Sequence, residues 1–203
     1  RYADLAIDTF HRAGVECDAF VTRRPGEGGA IARDRTRAEG HGYDAVFSLG
    51  GDGTAMEVVG ALAHTGIPVG ILPGGTGNLL ARTLGTPLGI PHAVRALVTG
   101  RAIDVDLGRF PDGRRFAFAA GVGIDATMID RTPTHLKRRL GVMAYALTAG
   151  RAVLARERFR VRLTVDGDVH EREASAVMVA NFGAVLNELI TLGPGIAHDD
   201  GHL

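Results

Sequence analysis

The sequence predicts an α/β chain in two parts: a doubly wound α/β domain over residues 1–107, then a β-rich domain of antiparallel-sandwich type over residues 108–203. Three observations predict this. Strand-like apolar runs alternate with helical segments as far as residue 107. Two of those strands run straight into glycine loops, Gly50-Gly51-Asp52-Gly53-Thr54 and Pro73-Gly74-Gly75-Thr76-Gly77. Beyond them, hairpin turns replace the alternation.

In order, Ala3–His11 carries Leu5, Ile7 and Phe10 at helical spacing before Gly14, and Val15–Val21 reads as a strand. The turn Pro25–Gly29 leads to a polar helix reaching about Gly40, then to the strand Asp44–Leu49, the first glycine loop and a helix over Ala55–His64. The cycle repeats with the strand Pro68–Leu72, the second loop and a helix from Asn78 to about Leu84. Strands alternating with helices predict parallel pairing with both sheet faces covered.

A short helix over Ala93–Thr99 leads to Ala102–Leu107, whose apolar and acidic residues alternate with the period of a half-buried strand. Asp112-Gly113 then reads as a turn between Leu107–Phe110 and Arg115–Ala119. One helix, about Thr134–Arg156, precedes the strands Phe159–Val165, Val169–Ala174 and Ala176–Asn181. Asp166-Gly167-Asp168 joins the first two.

Composition narrows the function. Lys and Arg total 23 against 23 Asp and Glu, which removes the overall basic balance of a general nucleic-acid binder. The lone Cys17 permits neither an intramolecular disulfide nor a zinc cluster and fits a reducing, cytoplasmic setting. No apolar stretch reaches the roughly 18 to 20 residues of a membrane span, and a signal-peptide layout is absent from the N-terminal residues, so a soluble chain is expected. The chain opens on Arg1 inside a helical run and stops at Leu203 as a new pattern begins, so a fragment is expected.

Both glycine loops follow the carboxyl ends of predicted parallel strands, the edge at which open α/β sheets bind ligands and helix N-termini offer free N–H groups. Phosphate suits such an edge, because glycine lets its oxygens approach the backbone, and Thr54 and Thr76 add hydroxyl donors. Neither loop has the lysine of a P-loop or the Gly-x-Gly-x-x-Gly spacing. Asp52, a carboxylate amid such donors, suits metal contact or base catalysis; loop stabilisation through Asx-type bonds is the alternative. Glu57 stands one turn further on, where acids also serve as dipole partners.

Val46–Glu57 (VFSLGGDGTAME) with Leu72–Arg82 (LPGGTGNLLAR) resembles the diacylglycerol kinase catalytic-domain family. The resemblance continues through Gly121–Asp125, Lys137–Gly141, Tyr145 and Asp199–Gly201. It implies ATP-dependent transfer of phosphate to a lipid hydroxyl, on a nucleotide-binding α/β domain like those of NAD kinases and phosphofructokinases. By the same resemblance, Thr22, the first loop from Gly50 and Gly51 through Asp52, Gly53 and Thr54 to Glu57, and the second loop Gly74, Gly75, Thr76, Gly77 and Asn78 hold the nucleotide. Asp52 is implied as the catalytic or metal-proximal carboxylate, and Asp125 as a neighbour of the lipid head group. Asp200 with the carbonyls of Ala197 and His202 is implied as a Mg²⁺ site.

Family members usually carry Asn-Asp after the second loop, whereas Asn78 is followed here by Leu79, which leaves the lipid open. Between residues 131 and 160 lie eight Lys or Arg against Glu157 alone, a basic face suited either to solvent or to an anionic membrane surface. A cytoplasmic enzyme is therefore expected, with peripheral membrane association and homodimerisation left open. Two alternatives stand: a kinase of NAD or a sugar phosphate, and a non-catalytic nucleotide- or lipid-sensing module.

Overall fold

A computed structural model describes residues 2–37, 42–123, 158–185, 190–191 and 196–202. Its packing divides the chain into two compact units, Arg1–Phe118 with Asn181–Leu203, and Ala119–Ala180.

The first unit opens with α1 (Tyr2–Arg12) and α2 (Glu27–Arg37), followed by β1 (Val46–Gly50), α3 (Asp52–Leu62) and β2 (Val69–Pro73). Then come α4 (Leu79–Thr83) and α5 (Ile90–Thr99). β1 and β2 pair in parallel, Val46 opposite Val69 through Gly50 opposite Pro73, as the alternating pattern predicts. Strand alternation sorts the side chains. Phe47, Leu49 and Leu72 join Ala6, Phe10, Ile90, Ala93 and Val94 in a cluster with α1 and α5. Val46, Val69 and Ile71 face α2, α3 and α4 through Ala32, Val58, Leu62, Ala55 and Leu80. Both faces are thus covered, and burying each large apolar side chain contributes roughly 1.5–3 kcal/mol. Gly70 lies opposite Phe47 because a Cβ there would overlap the phenyl ring.

α5 begins at Ile90, earlier than the expected Ala93, because Pro91 sits in its first turn, where a missing N–H costs nothing. Two expected strands are corrected. In Val15–Val21 only Val15 and Cys17 are partly buried, packed on the first cluster, residues 18–21 are exposed, and among the described residues no strand pairs with its backbone. Ala102–Leu107 also lacks a ladder, and Ile103 is 52% exposed. Its bonds go to single distant partners: Asp106 N–H donates to His198 O (2.6 Å) and Asp106 O accepts from Asn181 Nδ2 (2.6 Å).

β3 (Gly108–Arg109) and β4 (Arg115–Phe116) form the expected antiparallel hairpin, turning at Gly113 with φ +87°. This hairpin packs on α3 and belongs to the first compact unit. Arg115 Nη1 donates to Gly60 O (3.1 Å) and Ala117 N–H to Met56 Sδ (3.3 Å). Fully buried Asn181 returns the chain to the first unit by donating to Ala117 O (2.9 Å). β9 (Ala184–Val185) and β10 (Ile190–Thr191) close that unit as an antiparallel pair.

The second unit is antiparallel. β5 (Ala119–Gly123) pairs with β8 (Ala176–Ala180), and β6 (Phe159–Val165) with β7 (Asp168–Ala174). Asp166 and Gly167, with φ of +52° and +93°, make the tight turn that the Asp-Gly pair predicts. The predicted helix Thr134–Arg156 and most of the basic stretch 131–160 lie outside the described residues.

Candidate functional site

The ladder between β1 and β2 sets the two glycine loops side by side. Gly74 N–H donates to Gly50 O (2.9 Å), carrying the pairing one step past the strands. A Cβ on Gly74 would stand 3.0 Å from Gly50 N, and one on Gly75 would stand 2.5 Å from Gly51 Cα. The loops therefore touch backbone to backbone, which only paired glycines permit.

The first loop is shorter than expected, because α3 begins at Asp52 rather than Ala55. Gly51 is its N-cap, in extended conformation and without a side chain to cap it, and Ala55 N–H returns to Gly51 O (3.1 Å). The N–H groups of Asp52, Gly53 and Thr54 consequently lack intrahelical acceptors, and nothing lies within 4 Å of a Cβ built on Gly53. This helix end presents open donors and a positive dipole end to an anion. Thr54 packs beneath the loop, its Cβ 2.9 Å from where a Gly50 Cβ would lie.

The second loop is closed on itself. Asn78 adopts the left-handed conformation (φ 49°, ψ 43°), accepts Gly75 N–H at Oδ1 (2.8 Å) and donates from Nδ2 to Gly75 O (2.9 Å). Arg82 Nε folds back onto Gly77 O (3.0 Å), while Thr76 stands exposed at the tip.

Asp52 bridges the two loops. Its Oδ1 accepts Leu80 N–H (3.0 Å), so a residue of α3 caps the first turn of α4. Its Oδ2 lies beside Gly77, 3.1 Å from where a Cβ would be, with no hydrogen-bond partner among the described residues. Half-buried Asp52 therefore combines a structural oxygen with an uncommitted one.

Glu57 faces the other way. Its Oε1 accepts Gly26 N–H (2.7 Å) and its Oε2 accepts Gly28 N–H (3.1 Å), capping α2 from α3. Thr22 is exposed in the segment leading into α2, and among the described residues no hydrogen bond joins it to the glycine loops.

Asp200 and His202 meet in an Asx turn, His202 N–H donating to Asp200 Oδ1 (3.0 Å). Gly201 N–H donates to Asp106 Oδ2 (2.6 Å), so the turn, with Ala197 just before it, is docked on Asp106. Among the described residues no three His, Cys, Asp or Glu side chains gather as a metal cluster. Asp125 lies outside the described residues. Sequence reasoning missed Asp106, Arg82 and Asn181; each acts on backbone far from it in sequence, or on its own loop, and no motif spacing marks such bonds.

The diacylglycerol kinase catalytic domain matches residues 1–110, and the YegS C-terminal NAD kinase beta sandwich-like domain matches residues 119–203. The chain belongs to the diacylglycerol kinase catalytic-domain family. A diacylglycerol kinase of Staphylococcus haemolyticus is 31% identical over 195 residues, 94% of this chain and 57% of its own length. An uncharacterized protein of Synechocystis is 36% identical over 151 residues, 74% of this chain and 35% of its own length. A crystal structure of a diacylglycerol kinase from Bacillus anthracis matches 98% of this chain and 65% of its own with a TM-score of 0.74 at 28% identity. The chain thus spans about a third to two thirds of these family members. Among the described residues no helix is long and apolar enough to cross a membrane.

Proposed function

We propose that this chain carries the nucleotide site of an ATP-dependent lipid kinase, which moves the γ-phosphoryl group of ATP to the hydroxyl of diacylglycerol or a related lipid. The observation that carries this reading is the uncommitted Oδ2 of Asp52, set at a glycine-walled edge where the N–H groups of α3 stand open. The triphosphate lies across Gly50–Thr54 and Gly74–Gly77, with the exposed Thr76 hydroxyl as a further donor.

Transfer forms a bond from the lipid oxygen to the γ-phosphorus and breaks the bond to the β–γ bridging oxygen. Asp52 Oδ2 accepts the hydroxyl proton or contacts the metal, and positioning with charge neutralisation supplies most of the rate. The donor types fit Mg²⁺: Asp52 Oδ2, and Asp200 Oδ2 with the carbonyl oxygens of Ala197 and His202, are hard oxygens. Bound Mg²⁺ would neutralise phosphate charge. Asp125 neighbours the lipid head group, and the lipid is met at a membrane surface by a cytoplasmic protein.

The test is a γ-phosphate transfer assay on the full-length protein with Mg-ATP and a panel of lipids in mixed micelles, with NAD and fructose 6-phosphate as controls. Label in one lipid is expected; label in a control overturns the lipid reading, and ATP binding with no label favours a sensing module. Asp52→Asn keeps an oxygen for Leu80 N–H, so folding should persist while transfer falls by about 10²–10⁴-fold. Retained turnover in Asp52→Asn rules out a chemical role for the carboxylate.

A further inference from the structure

Glu57 lies within the glycine motif, yet both its oxygens are held by backbone N–H groups of a different helix. We propose that Glu57 is a positioning residue, which fixes the segment from Thr22 to Gly28 against α3 and so presents Thr22 to the nucleotide. This rests on the reading of the glycine edge as an ATP site, and of Thr22, as the family resemblance implies, as one of its contacts.

From Arg23 onward the N–H groups of the segment are satisfied one after another. Glu27 Oε2 accepts Arg23 N–H (2.5 Å) and Arg24 N–H (3.1 Å), and Pro25 has none to give. Gly26 N–H goes to Glu57 Oε1, Glu27 N–H to Arg24 O (3.3 Å), and Gly28 N–H to Glu57 Oε2. Of these bonds, only those to Glu57 leave the segment. A Cβ on Gly29 would lie 2.7 Å from Glu57 O, so α2 rests on the α3 backbone at the same residue. α3 begins at Asp52, so one helix carries both the open donors and the anchor of the Thr22 segment. A carboxylate at the N-terminus of α2 is also favoured by the helix dipole.

The test uses the full-length protein, with Kd for Mg-ATP measured by calorimetry and amide hydrogen exchange followed at Gly26 and Gly28. Glu57→Ala should weaken Mg-ATP about tenfold, the order expected for a lost cap with two unpaired donors. Glu57→Gln keeps one acceptor oxygen and should fall between it and wild type. Exchange should quicken at Gly26 and Gly28 but not at Gly74. In a double-mutant cycle, Thr22→Ala should remove most of the effect of Glu57→Ala, because the effect passes through Thr22.

Wild-type affinity in Glu57→Ala overturns the proposal, and so does full additivity with Thr22→Ala, which is the behaviour of a direct ligand. Should Glu57→Ala not fold, Glu57→Gln in the same cycle decides. A wild-type protein that binds no Mg-ATP overturns the nucleotide reading itself, an outcome distinct from wild-type binding that Glu57→Ala leaves unchanged.

Discussion

The two glycine loops read alike in sequence and differ in physics. The first dissolves into a helix: Gly51 caps α3 without a side chain, and the donors behind it stay open. The second commits the donors at its base, Gly74 N–H to Gly50 O across the loops and Gly75 N–H to Asn78 Oδ1, while Thr76 and Gly77 N–H meet no acceptor among the described residues. The first offers the donors of a helix end; the second is tied at its base to the first and offers donors only at its tip. Asp52 is the tie between them, since it belongs to the first and caps the helix after the second. Glycine content alone therefore does not identify a phosphate contact; what matters is whether the neighbouring N–H is already taken.

The sharpest way to break this comparison is Gly75→Ala. Its Cβ would stand 2.5 Å from Gly51 Cα, and the obstacle is backbone, which cannot rotate away. The substitution should cost about 3 kcal/mol, the upper end of the usual overpacking range, and should also part the loops. Urea denaturation of the full-length protein measures the cost, and a loss below about 1 kcal/mol, the lower end of that range, would mean that the loops can separate freely.

Asn78 comes next. Asn78→Ala removes two hydrogen bonds and places a Cβ-bearing residue without a polar side chain at φ 49°, for about 2 kcal/mol in all. Asn78→Gly tolerates that φ and should lose only about 1 kcal/mol. Equal losses for the two, by the same denaturation assay, would show that the closed loop owes nothing to the left-handed conformation.

Much of this architecture is legible in the amino-acid sequence. Strand periodicity and glycine placement specify the parallel β1–β2 pair, and Asp166-Gly167 specifies the β6–β7 turn, because these are local signals. Val15–Val21 and Ala102–Leu107 carry strand patterns of the same quality without forming ladders. Pattern reports which side chains face a core, as at Val15 and Cys17, but not whether another backbone lies alongside. The site divides in the same way. Asp52 stands out by its neighbours, yet its bond to Leu80 spans 28 residues and that of Glu57 to Gly26 spans 31, distances over which no short motif carries information.

The smallest expected effect on stability is the most discriminating for function. Gly53 lies in the first turn of α3 with nothing within 4 Å of a prospective Cβ and a φ that is not positive, so Gly53→Ala meets no steric obstacle. Alanine has the higher helix propensity, so stability should rise by about 0.5 kcal/mol. The same methyl would cover the open donor edge, so Mg-ATP should bind more weakly even as the fold tightens. A titration paired with a melting curve reads both signs at once. Gain of stability with unchanged affinity would remove the first loop as the phosphate edge, whereas opposite signs distinguish it from the second loop, where stability and binding must fall together.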